Sequence, residues 1–258
     1  MTARPDGADG SPEGTPRARL AELAGGLARV KSRVAAACAA AGRDEDELTL
    51  IAVTKTYPAS DVLALASLGL TEFGENREQE ASDKAAAVAA AGQPVTWHFI
   101  GQLQTNKARA IARYADVVHS VDRVRLVRAL GSAARASQRR LTCLVQVSLD
   151  PADAGDGTLA DPARGGVPPA GLAEVAEAIE GEEGLALGGL MAVAPRYADP
   201  GAAFAPLRKL SDMIRCVNPS ATVISAGMSG DLEAAVEAGA THLRIGTALL
   251  GDRRPPVR

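Results

Sequence analysis

The chain has 258 residues, 47% hydrophobic, 23% charged and 3% aromatic, with a net charge of −3 and a pI near 5.7. That length suits one (β/α)8 barrel and supports a core without disulfide staples, and with so few aromatics the core must be filled by Ala, Val, Leu and Ile. The acidic balance argues against a nucleic-acid surface, and no apolar run reaches the span of a bilayer. Cys38, Cys143 and Cys216 are odd in number, far apart and outside any CxxC pattern, so neither a disulfide framework nor a zinc site is expected.

Residues 1–16 carry Pro, Gly and acidic residues where a signal peptide would need an apolar stretch. They read as a disordered tail ahead of one domain over 17–258, and a cytoplasmic location is expected. Leu20, Leu23, Leu27, Val30 and Val34 then recur at helical spacing. LTLIAVTK (48–55) reads as a buried strand, followed by a helix over 61–68 stopped at Gly69. Further strands are expected near 71–73 and at 95–101, 117–121, 141–149, 185–194, 221–227 and 241–251. Helices are expected near 76–91, 105–114, 122–138, 169–181, 199–217 and 230–238, with a long Gly-, Pro- and Asp-rich loop over 150–168. Eight βα units of about 30 residues imply a parallel sheet, and that count favours a closed barrel over an open doubly wound sheet.

In such a barrel the functional groups lie at the C-terminal strand ends. Those positions hold Lys55, Glu75 with Asn76, His98, His119 with Ser120, Ser148, Met191, 225–229 and 244–247. Partial burial at a strand end would lower the pKa of Lys55, and a neutral amine can form a Schiff base with an aldehyde. A lysine snorkelling into water is the competing reading, and position alone does not exclude it. SAGMSGD (225–231) and RIGTALLG (244–251) place small residues after the last two strands, where backbone N–H groups and a helix start can hold a phosphate. Arg244 points either into the barrel or outward to a helix carboxylate such as Glu237. His98 reads as a pocket residue or a satisfied core histidine, and His119 and His242 carry less information.

The segments IAVTKTYP, FGENREQE, WHFIGQLQTNK, GLMAVAP, SAGMSGDLEAA and RIGTALLG run in register from about residue 49 to 251. Together they resemble the pyridoxal phosphate homeostasis protein family, the YggS/PROSC-like proteins. The resemblance implies a fold type III barrel similar to the N-terminal domain of alanine racemases, with pyridoxal 5′-phosphate (PLP) held as a Schiff base on Lys55. It implies phosphate contacts from Ser225, Gly227, Gly246 and Thr247, with Arg244 facing the pyridine nitrogen. Asn76 would lie near the ring, and the Met191 loop would line the pocket. An arginine at that nitrogen leaves it unprotonated and makes the ring a weaker electron sink. Two features depart from the family pattern: Gly230 stands where an aspartate is common, and the 150–166 stretch is longer than usual.

The function so implied is a monomeric carrier or regulator of PLP that serves PLP-requiring apo-enzymes, without robust turnover. A PLP-dependent amino-acid racemase is the alternative. It needs a second base, and the chain stops seven residues after Gly251 with no segment assignable to that role. A lysine aldolase without PLP is a weaker alternative, since no acid/base carboxylate pair is evident near Lys55.

Overall fold

Eight parallel strands close a barrel in chain order in the computed structural model, which describes residues 15–150, 165–196 and 198–251. The strands are β1 (Thr49–Val53), β2 (Glu72–Glu75), β3 (Thr96–Phe99), β4 (Val117–Val121), β5 (Leu141–Val147), β6 (Leu185–Ala192), β7 (Val223–Ser225) and β8 (His242–Ile245). β8 pairs back onto β1, with Thr49 opposite His242 and Ala52 opposite Ile245. The surrounding helices are α1 (Pro16–Ala41), α2 (Ala59–Ser67), α3 (Glu78–Ala90), α4 (Ala108–Ile111), α5 (Val124–Ala136), α6 (Leu172–Glu180), α7 (Pro200–Phe204), α8 (Leu207–Val217), α9 (Leu232–Glu237) and α10 (Thr247–Leu250).

Each helix buries one apolar stripe. On α5 it is Leu126, Val127, Leu130, Ala133 and Ala134, and burial of each leucine contributes about 2 kcal/mol. The expected 199–217 helix divides into α7 and α8 at Pro206, which cannot donate the interior hydrogen bond. The last expected strand ends at Ile245, and the chain then turns at Gly246 into α10.

Most of the expected tail, residues 1–14, and most of the expected long loop, 151–164, lie outside the described residues. Within the expected boundaries Thr15 and Pro16 already belong to α1: the Thr15 hydroxyl caps the Ala18 amide, and Pro16 opens the first turn. At the far end of the long loop Val167 rejoins the sheet as a parallel bridge to Val147.

α1 lies against α9 and α10 through Leu23, Leu27 and Val30, all buried. A Cβ on Gly26 would collide with the Leu249 carbonyl, so this crossing requires glycine. Arg19 pairs with Asp61 at 2.7 Å and Arg33 with Glu233 at 2.8 Å, tying α1 to α2 and α9. Among the described residues no helix is long and apolar enough to cross a membrane.

Candidate cofactor site at the C-terminal rim

Lys55 stands two residues beyond β1, half-buried in the turn whose next residue, Thr56, has φ +70°. It lines a cavity of about 560 Å³ with Asn76 after β2, Val193, Ala194, Pro195 and Arg196 after β6, and Met228, Gly230 and Asp231 after β7. The structure therefore gathers Lys55 and Asn76 at one opening with the loop that follows β7. Met191 is itself buried within β6, and the lining begins two residues later.

Arg244 points into the barrel. It is 4% exposed, its Nη1 donates to Ser225 Oγ at 2.7 Å, and its Nη2 donates to the Ala192 carbonyl at 2.9 Å. Glu237 is not its partner; the Glu237 carbonyl accepts from Arg208 instead. Burial lowers the guanidinium to about 10, with Asp231 opposing, so Arg244 stays protonated at neutral pH.

Ser225 closes β7 with its side chain inside the barrel, and its hydroxyl is engaged by Arg244 and by His119 Nδ1 at 3.0 Å. His119 Nε2 lies 2.8 Å from His98 Nδ1, and His98 Nε2 lies 2.7 Å from Glu72 Oε2. Burial, then the neighbouring His98 and Arg244, push His119 well below the usual histidine range. With neutral imidazoles, one arrangement satisfies every partner: Arg244 donates to Ser225, Ser225 to His119, His119 to His98 and His98 to Glu72. Burial raises the Glu72 carboxyl, but hydrogen bonds from His98, Thr71 and Thr96 oppose it and the net direction is down. A line of hydrogen bonds thus crosses the barrel from Arg244 to a part-exposed carboxylate. The sequence marked the histidines singly; their alignment required the strand register.

The glycine loops follow β7 and β8, next to β1 in the closed barrel. Gly227 has φ +89°, and a Cβ there would come within 2.6 Å of Ala235 Cβ. Its carbonyl accepts from the Arg244 amide at 2.9 Å. Ser229 Oγ accepts from the Ala248 amide at 3.2 Å, joining the β7 loop to the first turn of α10. Among the described residues the amides of Gly246 and Thr247 have no hydrogen-bond acceptor. Two such donors at a helix start, beside a loop that admits no side chain, suit an anion such as a phosphate. PLP requires a primary amine, a hydrogen-bond donor and backbone amides without acceptors, and the residues present fit it.

A closed parallel barrel with a lysine after β1, an inward arginine on β8 and glycine loops after β7 and β8 defines a barrel of the alanine racemase N-terminal type. Residues 27–254 match the family described as alanine racemase, N-terminal domain. The pyridoxal phosphate homeostasis protein of Mycobacterium tuberculosis is 46% identical over 253 residues, covering 92% of this chain and 95% of its own. The structure of PipY from Synechococcus elongatus with PLP bound superposes with a TM-score of 0.73 at 31% identity, over 89% of this chain and 100% of that one. Alanine racemase from Corynebacterium glutamicum shares the fold, with a TM-score of 0.63 at 16% identity over 89% of this chain and 60% of that one. The chain belongs to the pyridoxal phosphate homeostasis protein family.

Proposed function

We propose that this protein holds PLP reversibly on Lys55 as a cytoplasmic carrier, buffering the aldehyde and yielding it to PLP-requiring apo-enzymes. The observation that carries this reading is the cavity that brings Lys55 and Asn76 together with the β7 loop, which Ser229 joins to the first turn of α10. The relative PipY has been solved with PLP bound, which supports the same ligand here.

When bound, PLP supplies an aldehyde that condenses reversibly with a primary amine. Lys55, which lines the cavity, is the residue that would supply that amine. The Gly227, Gly246 and Thr247 loops would hold the phosphate through backbone amides. Asn76 lines the cavity beside Lys55 and would border the ring, and Ser225 supports Arg244 from within the barrel. Arg244 can only donate, so a pyridine nitrogen held by it stays unprotonated and carbanion chemistry is weak. That favours a carrier over a racemase.

The test is transfer. Protein loaded with PLP and mixed with an apo-transaminase should restore transaminase activity as its own absorbance falls, and Lys55→Ala should not load or donate. A loaded protein that retains PLP in the presence of the apo-enzyme, or that racemises alanine in a Lys55-dependent way, contradicts the carrier reading.

A further inference from the structure

α3 packs against the barrel through Ala81, Lys84, Ala85 and Val88, so a lysine occupies a position in its buried apolar stripe. Lys84 is 5% exposed, and its ammonium donates to Glu75 Oε1 at 2.6 Å, to the Thr54 carbonyl at 2.8 Å and to Glu80 Oε1 at 3.3 Å. Glu75 is fully buried at the end of β2, and its Oε1 also accepts from the Thr54 hydroxyl at 2.6 Å. Glu80 Oε1 accepts from the Thr56 amide. The residues on both sides of Lys55 are therefore held by three charged side chains, two of them buried.

Packing alone does not account for this arrangement. Apolar residues of similar volume would fill the space at equal or lower free energy, because burying two charges costs several kcal/mol of desolvation. One Glu75 oxygen serves both Lys84 and Thr54, while Oε2 has no partner among the described residues. Burial pushes the Glu75 carboxyl up, and the charge of Lys84 opposes that shift. The backbone that is held is itself strained, since a threonine at φ +70° occupies the left-handed region and reverts unless its surroundings fix it.

We propose that Glu75, Lys84 and Glu80 form a clamp on the Thr54–Thr56 turn that aims the Lys55 amine, making them positioning residues for bond formation at Lys55. This role presupposes Lys55 as the attachment point. The clamp fixes direction and leaves phosphate recognition to the neighbouring loops after β7 and β8, to which none of its hydrogen bonds runs. Bond formation and anion binding therefore respond separately to its loss.

The full chain is compared with Lys84→Met, Glu75→Gln and Glu80→Ala. Borohydride trapping of PLP on Lys55, followed by peptide mass mapping, gives the rate of attachment. The affinity for 4-deoxypyridoxine 5′-phosphate, which has no aldehyde, reports the phosphate and ring sites alone. Trapping should slow at least tenfold, within the range of roughly a hundredfold that a misplacement of about 1 Å can produce, while affinity for the deoxy analogue stays within about twofold. Unchanged trapping in folded variants, or equal losses in both readouts, overturns the clamp. Should the two buried variants fail to fold, Glu80→Ala decides alone, because that side chain is 28% exposed and is not needed for the core. An unchanged rate in Glu80→Ala overturns the proposal. Native protein that cannot be trapped on Lys55 overturns the attachment point as well, and that failure is seen without any variant.

Discussion

Two neighbouring parts of the barrel rim are built from different material. On the β1–β2 side the geometry is held by side chains: Glu75, Lys84 and Glu80 fix the turn that bears Lys55. On the β7–β8 side it is held by backbone: Gly227 turns at positive φ, and the Gly246 and Thr247 amides have no acceptor among the described residues. The lysine side is weakened by removing a group, whereas the glycine side is weakened by adding one. A reactive amine must be aimed, which takes contacts from several directions. An anion needs only close approach to oriented dipoles, which takes the absence of side chains.

Substitutions on the glycine side sharpen that contrast. Gly227→Val adds a branched Cβ against Ala235 at a φ of +89°, and it should cost about 3 kcal/mol in urea unfolding and weaken binding of the deoxy analogue. Near-native stability in this variant would show that the loop relaxes and that the backbone cradle is not rigid. Ser225→Ala removes the hydroxyl that accepts from Arg244, leaving a buried charged donor short of a partner, at about 2 kcal/mol. If Ser225 supports Arg244 from below, the spectrum of bound PLP should shift in this variant while affinity for inorganic phosphate holds. A large loss of phosphate affinity instead would move Ser225 to the cradle.

The barrel interior between the two sides responds to acid. His119 lies well below its ordinary 6.5 and His242 is lowered to about 4, both chiefly by burial. Unfolded histidines bind protons that the folded ones refuse, so stability is complete above pH 6.5 and falls on acidification. Each histidine contributes about 1.4 kcal/mol per pH unit, with the His242 share exhausted near pH 4. Glu72, whose carboxyl is held below its usual value, adds to the loss below about pH 4.5. Urea midpoints measured from pH 7 to 5 should decline throughout; a flat profile would mean that the histidines are already charged in the folded barrel. The smallest effect is expected at Gly230, where a Cβ meets nothing within 4 Å, so Gly230→Asp should change stability by less than about 0.5 kcal/mol.

Much of this architecture was legible because strand and helix periods alternate along the chain, and most strands are short, apolar and bounded by polar residues. β2 was expected near 71–73 and in fact reaches Glu75, since a buried glutamate with a lysine partner does not look like strand interior in one dimension. Lys84 is the clearest omission, and its signal was present: it shares the inward stripe of Ala81, Ala85 and Val88, where a solvated lysine has no place. The line from Arg244 to Glu72 gave no such signal. Its five members come from five strands, and only barrel closure sets their spacing. α10 was hidden because RIGTALLG is as apolar as a strand, and Gly246 alone marks the break.

The central claim is that Lys55 is the point at which PLP is held. It is tested most directly by the absorbance of the purified protein incubated with PLP, before and after borohydride, with peptide mapping of the product. A visible band that borohydride abolishes, leaving a pyridoxyl group on Lys55 and on no other lysine, is the predicted result. A protein that stays colourless with PLP, or that carries the pyridoxyl group elsewhere while Lys55 remains unmodified, would contradict the account.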